Sequence, residues 1–337
     1  MRIGIITPAP PRSRYGNRVT ALRWARILRE LGHRVSIEMA YEGQPYDLVV
    51  ALHARRSYPS VHRFNRDHPD RPVVVTLTGT DLYRDLPRSR NAQQALELAT
   101  RIVTLQPKAQ AELEPALHPK VRVIYQSVVA NPKRAAPPSY SGGAFDVSVV
   151  GHLRPVKDPF RTALAVRRLP PESRIRVLHL GAAMDEEMAS RARAEMKINP
   201  RYRWLGEQSR VRVQQILARS ALCVLSSKLE GGANVLSEAI VASTPVLASQ
   251  IAGSVGILGE DYDGYFNVGD SEELARLLHR AESDPAFLAR LSVHCSRLRP
   301  LFHPARELAA WRKLITECCS KRGLPTAQPA ISEVQMR

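Results

Sequence analysis

Arg2-Ile3-Gly4-Ile5-Ile6-Thr7-Pro8-Ala9-Pro10 opens the chain with a short apolar run that breaks on two prolines. A run of this length and composition reads as a buried strand of a parallel sheet. A helix follows, because Leu22, Ala25, Leu28 and Leu31 recur every three residues, with Asn17 placed to cap the start and Gly32 to end it. The same strand-loop-helix unit then repeats, with apolar runs at residues 35–39, 48–52, 73–77, 102–105 and 121–125 separated by helix-period stretches. This rhythm predicts a parallel sheet covered by helices on both faces.

Residues 131–143 carry three prolines, no apolar period and a closing Gly142-Gly143 pair, which is linker chemistry. Beyond them the rhythm restarts, with strands expected at 146–150, 176–180, 202–205, 222–225 and 245–248 and helices at 159–168, 186–196, 210–219 and 234–243. At 337 residues the chain suits two cores rather than one. The fold class expected is therefore α/β, two Rossmann-like parallel-sheet domains facing an interdomain cleft. The expected boundaries are an N-terminal domain at 1–130, a linker at 131–143, a C-terminal domain at 144–300, a helix at 301–320 packing back on the N-terminal domain, and a frayed tail at 321–337. Such sheets bind ligands at the carboxyl ends of their strands.

Lys and Arg number 49 against 32 Asp and Glu, a net charge of +17, and residues 1–134 hold 22 basic against 11 acidic side chains. An anionic partner is expected to meet the first half. Nucleic acid is not that partner, since aromatics are only 6% and neither a zinc pattern nor an RNA-binding aromatic motif accompanies the arginines. The first strand lacks the Gly-x-Gly-x-x-Gly fingerprint, which removes the main support for a dinucleotide-dependent oxidoreductase. No apolar run approaches the roughly 18 residues of a membrane span. With no secretory leader read at the start, a cytoplasmic protein without a transmembrane segment is expected. Cys223, Cys295, Cys318 and Cys319 lack Cys-x-x-Cys spacing and read as reduced, buried thiols. Asp185-Glu186-Glu187 reads as the acidic first turn of a helix, and no metal site is expected.

Glu230-Gly231-Gly232-Ala233-Asn234-Val235-Leu236-Ser237-Glu238-Ala239 lies between a buried strand and a helix. Its glycines let backbone approach a ligand, and the helix amides offer a seat for phosphate or a sugar hydroxyl. Glu238 suits a pair of vicinal hydroxyls, and Glu230, on the loop, lies nearer a sugar. Gly151-His152-Leu153-Arg154-Pro155-Val156-Lys157-Asp158 follows the first strand of the second half and supplies two cations. In the first half, Arg12, Arg14, Gly16, Asn17 and Arg18 form a cationic loop running into a helix start, suited to an oxyanion. Thr78, Gly79, Thr80 and Asp81 follow the fourth strand and are assigned to substrate positioning, with Gln126 and Ser127 after the last strand. His53 and Arg55 are weaker candidates, because a single histidine at a strand end is more often structural.

The Glu230 to Glu238 spacing resembles the Glu-x7-Glu signature of the retaining GT-B glycosyltransferases grouped as family 4. That resemblance implies the GT-B fold, Glu238 on the donor's ribose, Glu230 beside the donor sugar, and a glycine-led loop whose arginine and lysine grip a diphosphate. Lys157 matches the lysine; His152 stands in the arginine's place, leaving Arg154 as the second cation. Ala233, Asn234 and Val235 join Gly151, Gly231 and Gly232 in the donor set, and Glu230, Lys157 and Arg154 are the catalytic candidates. The first loop, Gly79-Thr80-Asp81-Leu82-Tyr83 and the two segments above together resemble the selenosugar synthases of selenoneine biosynthesis, over about residues 1–320. This second resemblance implies transfer of glucose or N-acetylglucosamine from UDP-glucose or UDP-N-acetylglucosamine to selenophosphate. It implies small-molecule partners, no cofactor or metal, and a functional link to other enzymes of that pathway. The alternative is a family 4 enzyme with a hydroxyl or lipid-linked acceptor.

Overall fold

The computed structural model describes residues 1–13, 16–129 and 143–320, so Arg14, the tail at 321–337 and all of the expected linker but Gly143 lie outside the described residues. The chain divides into two compact units, one of Met1–Tyr125 with the chain from Ala305 on, the other Gln126–Pro304.

Unit 1 holds β1 (Arg2–Ile6), α1 (Gly16–Glu30), β2 (Arg34–Glu38), β3 (Leu48–Leu52), α2 (Ala54–Asp67), β4 (Val73–Thr76), α3 (Arg90–Leu98), β5 (Arg101–Thr104) and β6 (Val121–Val123). Its strands pair in parallel in the order β2-β1-β3-β4-β5-β6. Successive side chains alternate between faces. Ile3, Ile5, Leu48, Val50 and Val74 pack with Trp24 and Leu28 of α1 on one face. Val49, Ala51, Val73 and Val75 pack with Val61, Phe64, Ala92 and Leu96 of α2 and α3 on the other.

The first helix departs from its expected reading in two ways. It begins at Gly16, so Asn17 is helical rather than the cap, and Leu22 is 51% exposed. A strict three-residue period drifts backward around a helix of 3.6 residues per turn. The buried arc is instead Ala21, Trp24, Ala25 and Leu28, the i, i+3, i+4, i+7 stripe of a helix facing a core.

Unit 2 holds β7 (Phe145–Val150), α4 (Arg161–Val166), β8 (Ile175–Leu180), α5 (Glu186–Ile198), β9 (Tyr202–Trp204), α6 (Arg210–Arg219), β10 (Leu222–Leu225), α7 (Asn234–Ala242), β11 (Val246–Ser249), α8 (Ala252–Leu258), β12 (Tyr265–Phe266), α9 (Ser271–Ser283) and α10 (Pro285–Leu298). Its parallel order is β12-β11-β10-β7-β8-β9. Two six-stranded parallel sheets, each covered by helices, are the α/β architecture expected. Gln126 and Ser127, expected to close the first domain, group with unit 2, where Val128 N donates to Phe302 O at 3.0 Å. Among the described residues no helix is long and apolar enough to cross a membrane, and all four cysteines are buried and free.

The last helix, α11 (Pro304–Ser320), packs on unit 1 beside α1. Trp24 and Trp311 meet edge to face, centroids 4.8 Å apart, and Trp24 Nε1 donates to the buried Glu307 carboxylate at 2.8 Å. Glu317 accepts from Arg101 Nε at 3.1 Å and Arg122 Nε at 2.8 Å. Burial raises the Glu317 pKa, but these two guanidinium bonds outweigh it and hold the carboxyl below its usual range. Trp311→Ala is expected to cost about 3–5 kcal/mol of unit 1 stability, measured by urea unfolding. Glu317→Gln is expected to cost about 1 kcal/mol at pH 7, discounted for partial exposure. Because the folded pKa is depressed, the wild-type advantage is full above the ordinary glutamate pKa. It vanishes as pH falls through the lowered value, so unfolding curves of the two proteins converge in acid.

Candidate functional site

A parallel sheet whose strand order reverses opens a crevice at the carboxyl ends of the strands flanking the reversal. In unit 2 these strands are β7 and β10, and a small hollow there is lined by Gly151, Lys157, His179, Val224, Ser226 and Ser227, among others. The chain leaves β7 through Gly151, makes a 3-10 turn over Pro155–Lys157 and passes Asp158 with φ of 44°. The loop after β10 grips it: Ser226 Oγ donates to the carbonyls of Lys157 (3.2 Å) and Asp158 (3.0 Å), and Lys228 N donates to Val156 O (2.9 Å). Arg161 holds the turn from the other side, donating to Asp158 Oδ2 at 2.8 Å.

Lys157 and Glu230, expected to serve different parts of a ligand, are bonded to each other. The Lys157 ammonium donates to Glu230 Oε1, and Ser227 Oγ donates to the same oxygen at 2.6 Å. The amides of Gly151 and Leu153 are committed to Leu180 O (2.8 Å) and Ala182 O (2.9 Å). Gly151 therefore contributes a missing side chain, since a Cβ there would meet nothing within 4 Å. His152 Nδ1 accepts from Ala182 N at 3.1 Å, which orients the ring by backbone. Arg154 is exposed at the start of the turn.

Helix α7 begins at Asn234 as expected, and its N-cap, Ala233, has no side chain to satisfy the first amides. Ala233 and Val235 are 2% and 8% exposed, so both can offer only backbone to a ligand. Gly231 is buried and Gly232 half-buried. Glu238 is half-buried one turn along, close enough to Cys223 for its charge to add to the burial that pushes that thiol up to about 12. Sequence reading missed Gly253 at the start of α8, where an added Cβ would lie 2.1 Å from Glu230 O. Only glycine lets that helix back the Glu230 loop so closely. It also passed over Asp261-Tyr262-Asp263, an Asp-x-Asp triplet in the turn after α8. Both aspartates are exposed, Asp263 pairs with Arg290 at 3.3 Å, and Tyr262 is buried against Val246 O.

In unit 1 the order reverses between β1 and β3. The loops after those strands carry Arg12 and His53, both non-glycine residues at positive φ, 66° and 75°. Such backbone is costly and concentrates at functional sites. Arg12 and Gly16 are exposed, Asn17 and Arg18 half-buried. Ser13 Oγ and Arg18 Nε are buried atoms without a hydrogen-bond partner among the described residues. Asp81, expected to face substrate, is wholly buried and holds backbone instead. Its Oδ1 accepts from Thr78 N (2.6 Å) and Thr78 Oγ1 (2.7 Å), and its Oδ2 accepts from Ala54 N (2.9 Å). Burial, opposed by these bonds, raises Asp81 to about 6. A π-helical turn, Asp81–Asp85, follows, with Gly79 and Thr80 half-buried at its start. His53 Nδ1 accepts from Arg56 N at 3.4 Å as the cap of α2, and Nε2 lies 3.7 Å from Asp85. Burial first, then the charges of Arg56 and Arg55, lower its pKa to about 4 against the pull of Asp85, so the ring is neutral at pH 7. Gln126 and Ser127 are both buried.

Comparison with known proteins agrees with this architecture. The family model described as glycosyl transferases group 1 matches residues 137–294. The D-inositol 3-phosphate glycosyltransferase of Mycolicibacterium smegmatis is 26% identical over 203 residues, which is 57% of this chain and only 45% of that protein's length. Among solved structures, HepE of Anabaena in complex with UDP is similar at TM-score 0.73 and 17% identity, covering 95% of this chain and 99% of that one. Sucrose-phosphate synthase of Thermosynechococcus elongatus is similar at TM-score 0.76 and 16% identity, with 95% and 99% covered. The lipopolysaccharide outer core galactosyltransferase WaaB follows at TM-score 0.68 and 15% identity, with 94% and 99% covered. The chain has the GT-B fold, and the stretch that matches the glycosyl transferases group 1 model ends within its second unit.

Proposed function

We propose that the chain is a glycosyltransferase that takes its sugar from a UDP-hexose held on unit 2. The observation that carries this is the meeting of Lys157, Glu230 and the side-chain-uncapped start of α7 at the loops that follow the two strands of the sheet reversal. Breaking the bond between the anomeric carbon and UDP leaves its electron pair on the diphosphate. Cations held in place before that step lower its barrier, because they need no reorganisation as the charge develops. Lys157 and Arg154 take that role, Glu238 receives the ribose hydroxyls, and Glu230 sets the Lys157 ammonium while lying beside the hexose. The structures of Anabaena HepE in complex with UDP and with UDP-glucose favour a uridine donor for a chain of this fold.

The acceptor is assigned to unit 1. Arg12 at positive φ, the buried Arg18 Nε and Ser13 Oγ, and the first turn of α1 form a loop that suits a small, multiply charged anion. Selenophosphate is such an anion. Its selenium is a strong nucleophile that asks little of a general base, which suits a unit whose His53 is bonded into a helix cap. In the step proposed, a carbon-selenium bond forms as the bond to UDP breaks, and later hydrolysis of the selenium-phosphorus bond by water releases inorganic phosphate and leaves a selenosugar. A neutral hydroxyl acceptor would make little use of these donors.

Incubation with UDP-glucose or UDP-N-acetylglucosamine, with and without selenophosphate, is expected to release UDP and a selenium-bearing sugar only when both substrates are present. UDP release that depends instead on a hydroxyl acceptor would transfer the assignment to that class. Lys157→Ala is expected to lower kcat/KM by about 10- to 100-fold, the loss of one charge-assisted contact of about 1.5–3 kcal/mol. Arg12→Ala should raise KM for the acceptor far more than for the donor, and Glu238→Ala the reverse. Equal effects on both constants would refute the division of roles.

A further inference from the structure

Beneath the loop that follows β7 lies a polar group that the core does not need. His179, the fifth residue of β8, is 1% exposed. Its Nε2 lies 3.2 Å from the carbonyl oxygen of Gly151, and its Nδ1 lies 2.9 Å from the hydroxyl of Tyr202 on β9. A carbonyl can only accept, so Nε2 carries the proton and Nδ1 accepts from Tyr202, one tautomer of a neutral ring. Burial, against the bond to Gly151, pushes the ring down to about 4 and keeps it in that form at neutral pH.

The same carbonyl is approached from a second side. Gly181 sits at φ of 153°, and a Cβ there would lie 1.9 Å from Gly151 O. Trp204 Nε1 fixes this glycine by donating to Gly181 O at 2.8 Å. Pairing then continues past the strands, through Leu153 N to Ala182 O and Ala182 N to His152 Nδ1. The ladder of β7 and β8 is already complete at Val150 and Leu180, so an apolar side chain at position 179 would close the sheet as well. What the imidazole adds is a direction for the Gly151 carbonyl.

We infer that His179, its tautomer set by Tyr202, is a positioning residue that aims the Gly151 carbonyl and so fixes the path of the loop carrying His152, Arg154 and Lys157 toward the diphosphate of a nucleotide sugar. This rests on the reading of unit 2 as the donor site. The consequence is specific: the hydrogen bond, rather than the volume of the ring, sets donor affinity.

The test is calorimetric titration of UDP into the full chain, for wild type, His179→Phe, His179→Gln and Tyr202→Phe, with circular dichroism melts alongside. His179→Phe keeps the volume and loses the bond, and is expected to weaken UDP binding about tenfold. His179→Gln, whose amide N–H can donate to the carbonyl, is expected to stay within about threefold of wild type, and Tyr202→Phe to fall between. If the wild type does not bind UDP, the donor-site reading itself fails and this inference with it. If the wild type binds and a folded His179→Phe binds equally well, or His179→Gln loses as much as His179→Phe, the positioning role is overturned while the donor site stands. Should His179→Phe not fold, Tyr202→Phe decides, and unchanged affinity there overturns the role.

Discussion

The ion pair between Lys157 and Glu230 ties together the loops after the two strands at which the second sheet reverses its order. A partly buried pair of this kind adds little net stability, because desolvation offsets most of the attraction. Its effect is on geometry. Lys157 is otherwise a long, flexible side chain, and the carboxylate, itself braced by Ser227, reduces it to one place. Everything else at the site serves that register. Ser226 holds the backbone of the lysine turn, Gly253 lets α8 lie against the backbone of Glu230, and Arg161 secures the strained Asp158 that ends the turn.

Unit 1 repeats the topological device with different chemistry. Its reversal point is flanked by two residues forced into left-handed backbone, Arg12 and His53, where unit 2 has a glycine-led loop and a lysine held by a carboxylate. Around His53 the polar groups face inward: Asp81 ties Thr78 to the start of α2, and His53 caps the same helix. These groups shape the surroundings of the unit 1 loops without presenting their own charges to a ligand. The loop after β1 has the opposite character, with donors at Ser13 and Arg18 that no described residue satisfies.

Much of the architecture could be read from the chain because the apolar runs are short, uniform and regularly spaced. Residues 48–52 and 222–225 are buried along their whole length, and such runs leave little doubt about strand or face. The reading failed where periodicity misleads or is too brief. Leu22 fitted a three-residue repeat yet faces solvent, because three residues fall short of a full helical turn and the repeat drifts off the buried face. Strand β12 has two residues, too few to show any period. At the candidate site, residue types and spacing singled out Lys157, Glu230 and the start of α7, since their chemistry is local in the chain. That Lys157 and Glu230 bind each other across 73 positions was not legible, nor was the inward turn of Asp81. Gly253, Gly181 and His179 were missed for a related reason: each matters only through a carbonyl supplied by a distant loop.

The return of α11 to unit 1 has a consequence for how the molecule is made. Unit 1 is assembled from both sides of unit 2 in the chain, so its first 125 residues leave the ribosome without the helix that covers Trp24. Until residues 305–320 are synthesised, that indole, its N–H and the apolar stripe of α1 around it stay in water. Unit 2 is contiguous and can complete its core earlier. Translation therefore leaves an interval in which the incomplete half exposes a sticky flank, the period when a chaperone would have most to do.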